Sequence, residues 1–324
     1  MYTVGIDLGG TNIAVGICDK DLNIIKKGSV RTRAERSGEE IVKDMAALTS
    51  RLLSELGIAL SEVEYVGIAT PGAANSDTGV VEYSCNLPFF NFPLVEVFKK
   101  YLPIERVYIA NDANAAALAE ALVGEARGAR SSVMITLGTG VGGGIIIDGK
   151  IYTGSVNCAG GELGHIVIEH GGRPCGCGRR GCFEAYSSAT ALTSITKEKI
   201  SELRAQNISS PLVEIAESDG KVSARTAFKA ARAGDEHARL IVDSYIRHLA
   251  DGVTNYVNIF QPDVVTIGGG VSNEGDDLIN PIREIVDRDQ YTSYSDKKAR
   301  VVIAGLKNDA GIVGAAGLGR QYLS

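Results

Sequence analysis

Three stretches of this chain put glycines beside side chains able to meet an anion or a proton. Asp7-Leu8-Gly9-Gly10-Thr11-Asn12 places a carboxylate at a strand end, then two glycines, then a hydroxyl. Glycines let backbone N–H groups close on phosphate oxygens, Thr11 adds a donor, and Asp7 could hold Mg²⁺ through water. From the residues alone, a plain hairpin turn fits as well. The run Leu137-Gly138-Thr139-Gly140-Val141-Gly142-Gly143-Gly144 is stronger, since a tight turn does not need so many glycines. Gly268-Gly269-Gly270-Val271-Ser272 fits close approach to a ribose or flat ring, or simply a tight strand-to-helix turn. No Gly-Lys-Ser/Thr phosphate loop occurs, and the dinucleotide fingerprint fits poorly, because a strand follows the second cluster. Asn111-Asp112 lies between an apolar run and an alanine-rich one. Either residue could cap the helix, but two adjacent polar residues exceed that need.

Positioning these groups falls to short apolar runs alternating with helical ones. Residues 3 to 8 and 13 to 18 form a strand pair joined by the first glycine turn, and a run near Ile24 extends it. Ile41, Val42, Met45, Leu48, Leu52, Leu53 and Leu56 recur at helical spacing, and Gly57 ends that helix. Strands follow at Tyr65 to Ala69 and Val107 to Ala110, the latter leading into a helix to about Leu122. Ser132 to Leu137 and Ile145 to Ile147 flank the second glycine turn, taken as Gly138 to Gly144. Ile241 to Phe260 marks a long buried helix, Asp263 to Ile267 a strand, and a helix starts at about Asn273. Val301 to Ala304 is a last strand, and Ala310 to Tyr322 a terminal helix. Strand–helix alternation indicates an α/β class. Two strand–glycine turn–strand units, Val4–Ile17 and Ser132–Ile147, suggest two related α/β domains.

The 324 residues suit about two domains, and 44% hydrophobic with 22% charged residues suits a globular chain. A net charge of −6 without clustered basic residues argues against nucleic-acid binding. No apolar run is long enough for a membrane span, and no signal-peptide pattern opens the chain, so a cytoplasmic address is expected. Cys175, Cys177 and Cys182 cluster while Cys18, Cys85 and Cys158 are scattered, which argues against a disulfide framework.

The three glycine clusters, in this order and spacing, resemble the sugar kinase/actin superfamily. Cys175-Gly-Cys177-Gly-Arg-Arg-Gly-Cys182-Phe-Glu184 resembles the signature C-x-C-G-x-x-G-C-x-E of the ROK family (repressors, open reading frames and kinases). The resemblance runs from Val4 to Gly319 and is strongest to the bacterial glucokinases. It implies a two-domain actin-like, ribonuclease H-like fold with a sugar and ATP cleft between the domains. It divides the chain into a small domain at 1–112, with a helix at about 308–324 packing back on it, and a larger one at 113–307. The segment 165–182 then holds a structural Zn²⁺ through His165, Cys175, Cys177 and Cys182, a closed tetrahedral set.

The same resemblance implies an ATP-dependent hexose kinase, most simply making glucose 6-phosphate, with Asp112 as general base. Sugar contacts fall to Gly72, Asn86, Asn111, Asp112, Glu162, His165 and Glu184. ATP and Mg²⁺ fall to Asp7, Gly9, Gly10, Thr11, Asn12, Thr139, Gly140, Gly142, Gly269 and Gly270. N-acetylmannosamine, N-acetylglucosamine, fructose and allose are alternative acceptors. A sugar-responsive repressor is a lesser alternative, since no DNA-binding segment precedes the first glycine turn. A homodimer or homotetramer is the implied assembly. The family often places Trp after Asn-Leu-Pro; here Phe89-Phe90 follows, and no Trp occurs in the chain.

Overall fold

A computed structural model describes residues 1–322. In chain order its elements are β1 (Tyr2–Leu8), β2 (Asn12–Cys18), β3 (Ile24–Arg31), α1 (Gly38–Leu56), β4 (Val63–Thr70), β5 (Ala73–Asn75), β6 (Val80–Tyr83), β7 (Phe90–Phe92), α2 (Leu94–Tyr101), β8 (Val107–Asn111) and α3 (Asp112–Val123). There follow β9 (Ser131–Leu137), β10 (Val141–Ile147), β11 (Lys150–Ile151), α4 (Glu184–Ser187), α5 (Ala189–Ala205), α6 (Pro211–Ser218), α7 (Ala224–Arg232) and α8 (Glu236–Phe260). β12 (Val264–Gly268), α9 (Asp276–Asp289), β13 (Arg300–Ile303) and α10 (Ala310–Gly317) complete the chain.

Two five-stranded sheets have matching strand orders, β3-β2-β1-β4-β8 and β11-β10-β9-β12-β13. In the first, β1 and β2 are antiparallel, with Asp7 opposite Ala14, whereas β1, β4 and β8 run parallel. In the second, β10 and β11 are antiparallel and β12 and β13 parallel. The shared order agrees with two related halves. A small third sheet, β5-β6-β7, is antiparallel.

The chain divides into two compact units. Among the described residues, one holds 1–134, 144–161 and 305–322; the other holds 135–143 and 162–304. The boundary expected at residue 112 falls inside the first unit, at the start of α3. There α3 packs on α10, which lies flat on the sheet because Gly5 and Gly67 carry no Cβ to meet the backbone oxygens of Ile312 and Ala315. The core of this unit gathers Val4, Ile6, Ile13, Val15, Ile41, Met45, Ile68 and Phe98. Helix α1 begins with a capping box, Ser37 with Glu40, and ends on Gly57 at φ 68°.

Three further boundaries differ from expectation. The second glycine turn is only Gly138–Gly140, because Val141–Gly144 already belong to β10. Gly143 and Gly144 are glycines of that strand because a Cβ on Gly143 would lie 2.6 Å from the Leu163 side chain and one on Gly144 2.5 Å from Ala117 Cβ. The helix expected from Asn273 begins at Asp276, after a 3-10 turn over Gly270–Glu274. The terminal helix likewise ends at Gly317 and continues as a 3-10 turn over Leu318–Gln321.

Candidate functional site

In the first unit, the polar groups collect at the carboxyl ends of three parallel strands, where open α/β sheets bind ligands. Asp7 lies next to the end of β1 and neighbours Ala69 of β4, while Thr70 neighbours Asn111 at the end of β8. The Gly9–Thr11 turn is tied down from below. Gly9 N–H donates to the Asn12 carbonyl at 2.9 Å, and Thr32 donates its N–H to the Thr11 carbonyl at 2.9 Å and its hydroxyl to the Gly9 carbonyl at 2.6 Å. These bonds fix the backbone of the turn. Asn12 opens β2 opposite Arg31.

Asn111 is the N-cap of α3. Its Oδ1 accepts from Ala113 and Asn114 N–H at 2.9 and 3.3 Å, and its Nδ2 donates to the Gly72 carbonyl at 3.1 Å. The capping reading is therefore met by Asn111. Gly72 has φ 96°, a left-handed conformation that suits glycine. Asn86, in the loop from β6 to β7, lies against Gly10, where a Cβ would be 3.4 Å from Asn86 Cβ.

Asp112 heads α3 and accepts the Ala113 N–H at 2.8 Å. Burial raises its carboxyl above the ordinary range, against the lowering effect of that hydrogen bond. Asp7 is pushed up to about 6, first by burial and then by the Asp112 charge. Two carboxylates thus share one desolvated neighbourhood, a setting that either keeps a proton or attracts a cation. Gly311 leaves the space for Asp7: a Cβ there would lie 2.5 Å from the carboxylate.

In the second unit, Gly138 N–H closes the turn onto the Gly140 carbonyl at 3.0 Å, and Thr139 is exposed at its tip. Gly269, at φ 84°, presses on Leu137, where a Cβ would lie 2.5 Å from the backbone N. The fold thus joins the second and third glycine clusters. Gly142 belongs to β10 and Gly270 to the 3-10 turn, so neither lies in the Gly138–Gly140 turn.

His165, Cys175, Cys177 and Cys182 bring their donor atoms within 4.8 Å of one another. Cys175 Sγ is 3.6 Å from His165 Nδ1, and Cys177 Sγ is 3.7 Å from Cys182 Sγ. A tetrahedral ion with sulfur at ~2.3 Å separates its ligands by ~3.8 Å, so the set fits Zn²⁺. The segment has little regular structure, with single bridges pairing Val167 to Cys182 and Pro174 to Arg180. It is anchored to α8, where Tyr256 donates its hydroxyl to the Leu163 carbonyl at 2.6 Å and packs edge-on against Phe183. Glu184 Oε2 accepts the Val141 N–H at 2.9 Å, and Cys175 Sγ lies 3.6 Å from Oε1. Glu162 closes the turn into His165, accepting its N–H at 3.1 Å through the backbone carbonyl.

The ROK family model matches residues 3–322. The chain belongs to the ROK family. This ROK protein is 38% identical over 321 residues to a glucokinase of Thermotoga maritima, covering 99% of this chain and 98% of that one. A crystal structure of a ROK family glucokinase from Streptomyces griseus, in complex with glucose and AMPPNP, superposes with a TM-score of 0.81 at 34% identity, covering 99% of this chain and 100% of that one. A xylose repressor of Caldicellulosiruptor bescii is more distant, at 27% identity over 311 residues, with 96% of this chain matched and 76% of the repressor. The two-domain actin-like α/β fold expected from the sequence is the fold of this ROK chain.

Sequence reasoning missed three of the groups that hold these sites. Thr32 and Gly311 belong to no motif, and Tyr256 was legible only as core. Their roles come from partners 21 or more positions away along the chain, which no local pattern reveals.

Proposed function

We propose that this ROK protein is an ATP-dependent kinase that phosphorylates glucose at its 6-hydroxyl. The observation that carries the proposal is Asp112, a half-buried carboxylate at the carboxyl end of parallel strands, with a raised pKa and the Asn111 cap beside it. The likeness to glucokinases along almost the whole chain supports it.

Asp112 takes the proton from the attacking hydroxyl as its oxygen bonds to the γ-phosphorus and ADP leaves. Phosphoryl transfer asks the protein mainly for alignment and charge neutralisation. The Gly9–Thr11 and Gly138–Gly140 turns supply backbone donors to the phosphates, with Thr139 adding a hydroxyl, and Gly269 approaches the nucleoside. Asp7 would hold Mg²⁺ through water; the ion would neutralise phosphate charge. Asn86, Asn111, Glu162, His165 and Glu184 bind sugar hydroxyls, and Gly72 shapes the backbone beside Asn111. With His165 Nδ1 facing Cys175, Nε2 remains for a hydroxyl. Zn²⁺ at His165, Cys175, Cys177 and Cys182 would cross-link an otherwise loosely held segment.

Six free cysteines suit a reducing cytoplasm, and among the described residues no helix is long and apolar enough to cross a membrane. A homodimer or homotetramer is the assembly proposed. The deciding experiment is ADP release across glucose, fructose, allose, N-acetylmannosamine and N-acetylglucosamine. Highest kcat/KM with glucose supports the reading; preference for an N-acetylhexosamine overturns the substrate, and no turnover with any sugar overturns the kinase.

A further inference from the structure

We propose that the groove between β3 and α1 is a second anion site, built for a multiply charged phosphate group. Val30, Arg31, Arg33 and Arg36 line one side of this space of about 510 Å³; Asp44, Ala47, Leu48 and Arg51 line the other. That volume suits a small ligand. The α1 residues recur at helical spacing and share one face, and β3 is the outer strand of its sheet.

Four guanidinium groups thus meet one lining carboxylate in a protein of net charge −6. Asp44 is taken by Arg36 at 2.6 Å, and Arg36 also donates to the Thr32 carbonyl at 2.9 Å. Glu35 and Glu40 add charge near Arg36 without lining the groove. Arg51 reaches Glu55 only at 3.8 Å, and Glu55 is held by Lys26 at 2.7 Å. Arg31 and Arg33 are exposed and have no ion-pair partner among the described residues. Arg33 also has φ 52°, a left-handed conformation uncommon for a non-glycine residue. Planar guanidinium forks match phosphate oxygens two at a time, which point-like ammonium groups do not.

The site is wired to the first phosphate turn. Thr32 lies between Arg31 and Arg33, is fully buried, and holds the Gly9 and Thr11 carbonyls. An anion that pulls on Arg31 and Arg33 therefore bears on the turn proposed to grip the nucleotide. This kinetic consequence rests on the kinase reading; the binding itself does not.

Calorimetric titrations test it, with AMPPNP present throughout to fill the nucleotide site. Inorganic phosphate, tripolyphosphate and glucose 6-phosphate are titrated separately, which distinguishes free phosphate, a phosphate chain and a sugar phosphate. At least one should bind with Kd below about 1 mM, and Arg33→Ser with Arg51→Ser should weaken it about tenfold. Arg33→Lys, which keeps the charge and loses the fork, should weaken it less; this arm keeps the test valid should the double variant misfold. In the ADP-release assay the anion should shift the KM for ATP in wild type, and in Arg33→Lys only at a correspondingly higher anion concentration. Absence of binding by all three anions, or equal binding by wild type and both variants, overturns the site. A protein that binds the anion but turns over no sugar leaves the groove standing and removes the kinase reading alone.

Discussion

The backbone N–H of Val141 donates to Glu184 Oε2 at 2.9 Å, while Cys175 Sγ lies 3.6 Å from the other oxygen of the same carboxylate. One side chain therefore ties the Cys/His cluster to the residue that ends the Gly138–Gly140 turn. Glu184→Gln keeps the volume and removes the charge. Hydrogen bonds to charged groups contribute about 1.5–3 kcal/mol. The variant should lose roughly ten- to a hundredfold in glucose affinity, measured by calorimetry, while zinc content stays near one per chain. Unchanged glucose affinity would remove Glu184 from the sugar site.

Asp112→Asn preserves the shape at the head of α3 and the hydrogen bond to Ala113, but cannot accept a proton. General-base catalysis contributes typically ~10²–10⁴-fold. We expect kcat to drop by that factor with glucose Kd changed less than about threefold. Retained turnover in the coupled assay would deny Asp112 the base role.

Asp7 predicts an opposition between stability and activity. Its carboxyl is pushed from 3.8 to about 6 in the folded chain, so between about pH 4 and 6 the native state holds a proton that the unfolded state has released. Stability from this group is present at low pH and lost as pH rises through that window. Relative to wild type, Asp7→Asn should be equally stable near pH 4 and up to roughly 3 kcal/mol more stable at pH 8 without divalent cation. Denaturant melts at both pH values measure the difference. Added Mg²⁺ should narrow it by stabilising wild type, and the variant's turnover should fall sharply. A constant difference across pH would show that Asp7 is not the strained group.

Removing the metal should loosen one segment rather than unfold the chain. Cys177→Ser takes one ligand from a set whose donors lie within 4.8 Å. Zinc content by mass spectrometry should fall below one per chain, Tm should drop by several degrees, and glucose affinity should fall with it. Wild-type Tm and glucose affinity at zero zinc would refute a structural role for the metal.

Much of this site could be read in advance because its parts are local. Cys175, Cys177 and Cys182 crowd into one short segment, so their spacing marks them as a group. Asn111 and Asp112 are adjacent at a strand end, and Gly9–Gly10 follows Asp7 directly. The glycine run at 138–144 misled because sequence does not distinguish a glycine that turns from one that makes room. Gly138 sits at the turn with open space around it, whereas Gly140, Gly143 and Gly144 make room for Glu184, Leu163 and Ala117.

The residue order by itself determined the repeated strand–turn–strand design, the cysteine cluster and the family, because each is written in spacing along the chain. Tertiary structure alone decided which carbonyls Thr32 would hold, that Gly311 would clear space for Asp7, and that Gly269 would press on Leu137. It also gave Glu184 two partners, Val141 and Cys175. Pairings of this kind depend on backbones brought within a few ångströms by packing, and distance along the sequence carries no record of them.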